Sequence, residues 1–188
     1  MKSLILFLFC FFSFCTLLAK DKWEIDEQIS SINFEVPVFL ATNVKGKFDE
    51  FKGFISVSNE LDKNYKAIFS VNIDSIDMNY LKYKDLLLSE VFLDKENYPI
   101  ALIETPKFLY KNQKKLILDV ELRIKNMSKE IPVELEIIKL SDDLIQIKGD
   151  MSFSRIDFNL GINKWASTAI LKEKIKIKTN LFLFRNQF

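Results

Sequence analysis

The sequence predicts an all-β domain, an eight-stranded antiparallel barrel with one short helix. Apolar and polar residues alternate along most of the chain after residue 20, which is the period of a strand with one buried face. Only residues 79–92 have helical spacing instead. A sandwich would fit the alternation too, but four glycines in 188 residues are few for its many tight turns. Eight strands are the number at which a barrel is filled by side chains or holds one small ligand.

The first nineteen residues have the composition of a secretory signal peptide. Lys2 is their one charge, an apolar run begins at Leu4, and the small residue Ala19 suits the position before cleavage. We therefore expect a signal peptide at residues 1–19 and one domain at 20–188, secreted or periplasmic. An uncleaved N-terminal anchor is the minor alternative. A lipid-modified cysteine is disfavoured because large residues precede Cys10 and Cys15.

The composition excludes several kinds of chemistry. The chain has no histidine, and both of its cysteines lie in the expected signal peptide. This excludes Cys/His zinc sites, Ser-His-Asp triads, thiol proteases and disulfides from the expected mature chain. Removing the signal takes one of 27 basic residues and none of 26 acidic residues, so the net charge becomes zero. Nothing in this balance predicts binding to nucleic acid.

The strands follow one another with few interruptions. The clearest is 115–125, where Leu116, Leu118 and Val120 face one way and Asp119 and Glu121 the other. Residues 126–128 are short enough to connect it to the next strand as a hairpin. The predicted strands cover 32–38, 53–58, 67–73, 100–110, 115–125, 131–137, 145–153 and 175–181, with 23–25 as a short leading strand.

The helix is predicted over residues 79–92. Tyr80, Leu87 and Val91 share one of its faces, and Asp77 or Asn79 is a candidate for the cap at its start.

No catalytic constellation is evident. The acidic pairs at 49–50 and 142–143 are sequence neighbours, which is typical of solvated turns. Arg155 and Asp157 suggest an exposed ion pair, and the alternating lysines of 172–178 suggest the solvated face of a strand. No phosphate-binding or nucleophile motif occurs, so we expect no enzyme activity, metal or cofactor.

The apolar face is the informative part of the sequence. Long strands with no inward polar cluster fit an elongated tunnel for an apolar chain, whereas an ordinary filled core is the alternative. The residues expected to face the interior and contact a ligand are Phe34, Val36, Phe48, Phe69, Val71, Ile73, Leu87, Phe92, Ile103, Phe108, Leu118, Val120, Leu122, Leu135, Met151 and Phe153.

Several short motifs occur in a characteristic order. They are W-E-I-D at 23–26, S-S-I-N-F-E-V at 30–36, V-K-G-K-F-D-E-F-K-G at 44–53, S-I-D at 75–77, K-D at 84–85 with F-L-D at 92–94 and Y-P at 98–99, L-R-I-K-N-M-S-K at 122–129, and R-I-D-F at 155–158. With these motifs the chain resembles the YceI-like proteins over nearly all of residues 23–183. No single motif is decisive, but their order is specific.

The resemblance implies a lipocalin-like barrel that binds polyisoprenoids and related lipids without catalysis. The implied partner is an isoprenoid quinone, a carotenoid-like chain or another prenyl lipid, exchanged in transient contact with a membrane. In this interpretation the segment from Gly46 to Gly53 and the helix at 80–92 close the mouth. An envelope structural or interaction protein with a self-filled barrel is the alternative.

The sequence departs from the family pattern at particular positions. Ile29, Val38 and Leu87 stand where family members usually carry histidine. Asn126 and Asn159 stand where a glycine is usual, and asparagine still tolerates a left-handed backbone. If the histidines hold a headgroup in relatives, this protein must hold its ligand otherwise.

Overall fold

The computed structural model describes residues 21–37, 43–58, 64–78, 80–161, 163–169 and 171–186. The expected signal peptide and Val38 lie outside these ranges. The α-helix in the described ranges, α1, is Leu81–Leu88. The strands are β1 Lys22–Ile25, β2 Ser31–Val36, β3 Val44–Phe48, β4 Phe51–Val57, β5 Asn64–Asn72, β6 Ile76–Asp77, β7 Ile100–Glu104, β8 Phe108–Leu109, β9 Lys115–Ile124, β10 Met127–Lys139, β11 Leu144–Ser154 and β12 Lys174–Asn186.

Eight of these strands form a closed antiparallel barrel, as the alternation predicts. The order around the wall is β1-β4-β5-β7-β9-β10-β11-β12, and β12 pairs with β1 to close it. Because most neighbours in the wall are also close in sequence, most connections are short. Closure leaves these eight strands with partners on both sides, which removes the exposed sheet edges of an open sandwich.

The wall continues beyond the ring at one end. The last residues of β12 pair with β1, whereas Lys176–Asn180 pair with β2. β2 then pairs with β3, and β3 with β6, directly before the chain enters α1. The β2-β3-β6 extension therefore lengthens the barrel wall at the end where α1 begins.

The structure corrects the interpretation of Gly46 and Gly53 as a mouth loop. Gly46 lies within β3 and Gly53 within β4. A Cβ added at Gly46 would lie 2.5 Å from Cζ of Phe34, so the phenyl ring occupies the space that a side chain would need. These glycines are required by packing across the sheet rather than by a turn.

The hairpin between β9 and β10 is tighter than expected. Its connection is Lys125-Asn126, since Ile124 already pairs with Met127. The left-handed residue is Lys125, with φ of 55°, and not Asn126. The Lys125 Nζ donates to the carbonyl of Glu90, 3.1 Å away, which ties this hairpin to the segment after α1.

The predicted strand 100–110 is divided into β7 and β8. Pro106 has no backbone N–H and cannot continue the ladder. Beside it, Thr105 is buried, and its hydroxyl oxygen accepts from the backbone N–H of Ala67 at 2.8 Å. The chain therefore remains attached to β5 across the interruption.

The helix is shorter than predicted and has no side-chain cap. Tyr80 takes the N-cap position, rather than Asp77, and makes no capping hydrogen bond; Asn79 lies outside the described residues. At the other end Ser89 stops the helix, and its hydroxyl donates to the carbonyl of Leu86. Leu88 is buried, whereas Leu81 is 75% exposed.

The half of the barrel away from α1 is filled by its own side chains. Leu183 is fully buried there, opposite Ile25 on β1 and Ile145 on β11. Other buried core residues that do not line the cavity described below are Ile55, Ala67, Val120, Val133, Ile147 and Leu181. This half resembles the filled core that the sequence analysis kept as an alternative.

Candidate ligand-binding cavity

The half of the barrel nearer α1 contains a cavity of about 390 Å³. This volume lies within the range of sites that bind small molecules. Its wall is formed by the β2-β3-β6 extension, by the facing parts of β5, β7, β9, β11 and β12, by α1 and the segment after it, and by the connection from β11 to β12. The lining residues are Ile32, Phe34, Val36, Val44, Phe48, Val71, Ile73, Ile76, Tyr83, Leu86, Leu87, Phe92, Leu93, Ala101, Ile103, Leu122, Ile124, Met151, Phe153, Arg155, Leu160, Trp165, Leu171, Ile175, Ile177 and Thr179.

Most of the sequence-predicted interior residues line this cavity. They come from six strands, from the turn after β5, and from α1 and the segment that follows it. These residues are Phe34, Val36, Phe48, Val71, Ile73, Leu87, Phe92, Ile103, Leu122, Met151 and Phe153. That they contact a ligand stays a prediction.

Five predicted residues lie away from the cavity wall. Val120 is buried one inward position before Leu122, in the filled half, and Phe69, Leu118 and Leu135 pack partly buried against the same core. Phe108 lies beside Tyr65, with ring centroids 5.9 Å apart. Alternation indicates which face of a strand is inward, but it contains no information on depth along the barrel axis.

The main residue that the sequence analysis misassigned is Arg155. It was predicted in an exposed ion pair with Asp157, but its side chain is only 1% exposed and lines the cavity. The ion pair is absent from the described residues. Arg155 follows Met151 and Phe153 at the inward positions of β11, so strand parity was the signal that could have placed it.

The Arg155 guanidinium holds the connection between β11 and β12 in place. Its Nη1 donates to the carbonyls of Leu160 at 2.8 Å and Gly161 at 3.3 Å. Its Nε donates to the carbonyl of Lys172 at 3.1 Å, and Nη2 to that of Leu171 at 3.1 Å. Longer contacts from Nη2 reach the carbonyls of Ala166 and Ser167. Burial lowers the pKa of this side chain from its ordinary value.

The same connection contributes apolar residues that periodicity did not reveal. Trp165 packs against Phe92, with ring centroids 6.1 Å apart, and Leu160 is buried. Gly161 has φ of 79°, and its N–H donates to the carbonyl of Val91. This bond joins the connection to the segment after α1, so the two together cover the end of the barrel.

The residues that stand where family members usually carry histidine have different surroundings. Ile29 is 50% exposed, whereas Leu87 lines the cavity. Val38 lies outside the described residues.

Among the described residues, no cluster of three or more His, Cys, Asp or Glu side chains is arranged to hold a metal ion. No helix in the described ranges is long and apolar enough to cross a bilayer.

An eight-stranded antiparallel barrel with an apolar cavity at one end is the architecture of a lipocalin-like barrel domain. Residues 23–183 match the YceI-like domain model, and the chain belongs to this family. The matched range is the same one over which the sequence motifs resemble this family.

Relatives in sequence are UPF0312 proteins of vibrios. The chain is 27% identical to one from Vibrio parahaemolyticus over 114 residues, which is 61% of this chain and 60% of the relative. A relative from Vibrio cholerae is 25% identical over the same length. The match thus spans about 60% of the length of these curated relatives.

Solved structures share the fold. Burkholderia cenocepacia BcnA has a TM-score of 0.75 at 19% identity, covering 84% of this chain and 98% of its own. A polyisoprenoid-binding domain from Saccharophagus degradans, implicated in plant cell wall breakdown, has a TM-score of 0.69 at 15% identity. This alignment covers 87% of this chain and 98% of that domain. The Campylobacter jejuni YceI protein has a TM-score of 0.68 at 19% identity, and the alignment covers 81% of this chain and 90% of that protein. At such identities the likeness concerns the fold alone.

Proposed function

We propose that this protein is a secreted or periplasmic, non-enzymatic carrier or sequesterer of an amphipathic isoprenoid or related lipid. The observation that carries the proposal is the apolar cavity at the α1 end of the barrel, whose wall is formed almost entirely by aliphatic and aromatic side chains. The related polyisoprenoid-binding domain supports the ligand class, and the signal-like residues 1–19 support the location.

Apolar burial supplies a large part of the free energy for such binding. Each buried CH₂ contributes ~0.8 kcal/mol, so three five-carbon units offer roughly 10 kcal/mol before the cost of ordering the ligand. Micromolar affinity needs about 8 kcal/mol net of that cost, so a longer prenyl chain binds more tightly than a short one. Apolar contact is thus the main contribution, which suits a site without family histidines.

The alternative is an envelope structural or interaction protein with a self-filled barrel. The half of the barrel around Leu183 does have such a core, but the half around Met151 does not, since about 390 Å³ remains unfilled between largely apolar side chains. An unfilled apolar volume of this size forgoes packing contacts, which an apolar ligand would restore. The geometry therefore favours the carrier.

The test is extraction of the purified full chain with organic solvent, followed by mass spectrometry, and then titration of the stripped protein with a prenyl quinone. We expect a co-purifying prenyl lipid and saturable binding at one site per barrel. Clean protein that also fails to bind added quinones and prenyl alcohols would support the self-filled alternative.

A further inference from the structure

The start of α1 carries a group of exposed apolar side chains, which we call the α1 patch. Tyr80, Leu81 and Tyr83 fall within four consecutive positions and are 58%, 75% and 45% exposed. The two tyrosine rings pack edge to face at a centroid distance of 5.7 Å, with Leu81 between them in sequence. Apolar residues that are exposed singly need no explanation, whereas a contiguous group is typical of an interaction surface.

The α1 patch borders the entrance of the cavity. Tyr83 belongs to both, and of the described residues that line the cavity it is the exposed one. Leu86 and Leu87, one turn later, also line the cavity and are half-buried. The cavity therefore opens beside Tyr83, and a ligand that leaves it there passes directly over the patch.

The size of the α1 patch favours a lipid surface over a protein partner. Side chains of this kind offer about 200 Å² each, so the three exposed fractions amount to roughly 400 Å². A specific protein interface needs about 800 Å² on each partner and a complementary shape. A bilayer accepts a small apolar surface without shape matching, and tyrosine is enriched at its interface because the ring is apolar and the hydroxyl polar.

The charges beside the entrance come in neighbouring pairs of opposite sign. Lys84 and Asp85 follow Tyr83 on α1, and Lys172 and Glu173 follow the last cavity-lining residue of the connection from β11 to β12. These pairs provide no excess of either sign to attract or repel a charged membrane. Contact should therefore depend on apolar insertion, which salt does not screen, rather than on anionic headgroups.

From this geometry, and resting on the proposed function, we infer that the α1 patch is a membrane-docking surface. The partner is the interfacial region of a lipid bilayer, into which Leu81 and the two tyrosines insert. Docking in this position brings the cavity entrance to the apolar part of the bilayer. A prenyl lipid then passes between membrane and barrel without crossing water, so exchange occurs by collision of the protein with the membrane.

The experiment measures the rate at which the stripped full chain takes up a prenyl quinone from phosphatidylcholine vesicles. Uptake by collision has a rate that rises in proportion to the vesicle concentration, which is the expected result. Uptake through quinone dissolved in water has a rate set by its release from the vesicle, independent of vesicle concentration. High salt should change the rate by less than about twofold. A large fall in salt would show that charges hold the membrane and would overturn apolar insertion.

Two variants each replace one exposed apolar side chain by glutamine. Leu81→Gln alters the α1 patch, and Ile117→Gln is the matched control. Ile117 is 70% exposed near the start of β9, whereas Leu122 and Ile124, at the other end of that strand, line the cavity. We expect Leu81→Gln to slow uptake from vesicles about tenfold and Ile117→Gln to change it by less than about twofold. Wild-type uptake by Leu81→Gln, or equal slowing in both variants, would overturn docking at α1.

A second measurement separates the docking surface from the cavity. Leu81 is not among the residues that line the cavity, so both variants should bind quinone added from ethanol with wild-type affinity. Such binding with an uptake rate independent of vesicle concentration would overturn docking and leave the carrier function in place. Absence of quinone binding in all three chains would contradict the proposed function and docking with it. A change of molecular mass in Leu81→Gln, measured by light scattering, would assign the patch to contact between copies and overturn membrane docking.

Discussion

At the level of single residues, the segment after β11 depends on two neighbouring left-handed positions. Asn159 has φ of 52° and ends the 3₁₀ turn of residues 155–158, and Gly161 has φ of 79°. Asparagine tolerates this conformation, whereas most side chains do not. A Cβ at Gly161 would also lie 2.9 Å from both Nη1 of Arg155 and Cε1 of Phe92. Backbone conformation and packing thus both require glycine here.

We predict that Gly161→Ala destabilises the protein by at least ~1 kcal/mol, because it combines an unfavourable φ with contact against two buried side chains. Asn159→Gly is the matched control and should be neutral or slightly stabilising, since glycine adopts the same φ freely. Urea unfolding followed by circular dichroism measures both. Equal stability of Gly161→Ala and the wild type would mean that this connection is not held as described.

At the level of elements, the sequence predicts strands well and connections poorly. The alternation of β9, β10 and β11 was clear because one face is buried and the other solvated. The connection from β11 to β12 has no such period, and the bonds from Arg155 fix its path. The sequence also contains no information on how far along the barrel axis an inward residue lies. Val120 and Leu122 both occupy inward positions of β9, yet of the two only Leu122 lines the cavity.

The helix that covers the cavity lacks a stabilising cap, and this leads to a prediction. Tyr80→Ser supplies a hydroxyl that can accept from the backbone N–H groups of the first turn, worth ~1 kcal/mol to the helix. We expect slower amide hydrogen exchange across α1 in this variant. Leu81→Ser, one position later and exposed, is the control and should not slow exchange. Unchanged exchange in both would indicate that packing alone sets the stability of α1.

At the level of the whole molecule, side chains that ordinarily titrate near neutrality are absent. The chain has no histidine, and no carboxylate lines the cavity in its described part. On the outer surface, hydrogen bonds lower the pKa of several carboxyl groups, from Asn43 to Glu35, Ser128 to Glu121, Lys114 to Glu136 and Lys139 to Asp142. Any stability they contribute is present above the unfolded-state pKa and is lost as the pH falls through the lower folded-state pKa.

We therefore predict that affinity for an uncharged prenyl quinone is nearly flat between about pH 5 and 8 and unchanged by EDTA. Stability should likewise be flat in that range and fall only below about pH 4. Fluorescence titration at several pH values, with and without chelator, measures the affinity. A change of tenfold or more, ~1.4 kcal/mol, would reveal a titrating group or metal that the apolar account lacks.

The central claim, that the ligand occupies the cavity at the α1 end, is tested most directly by filling that cavity. Ala101 lines it, while the next residue, Leu102, takes the opposite face of β7 and pairs with Arg123. We measure uptake of a prenyl quinone by Ala101→Trp and Leu102→Trp after confirming that both fold. The account predicts that Ala101→Trp loses uptake by at least about tenfold while Leu102→Trp retains it. Wild-type uptake by Ala101→Trp would contradict the account, because the ligand would then bind elsewhere.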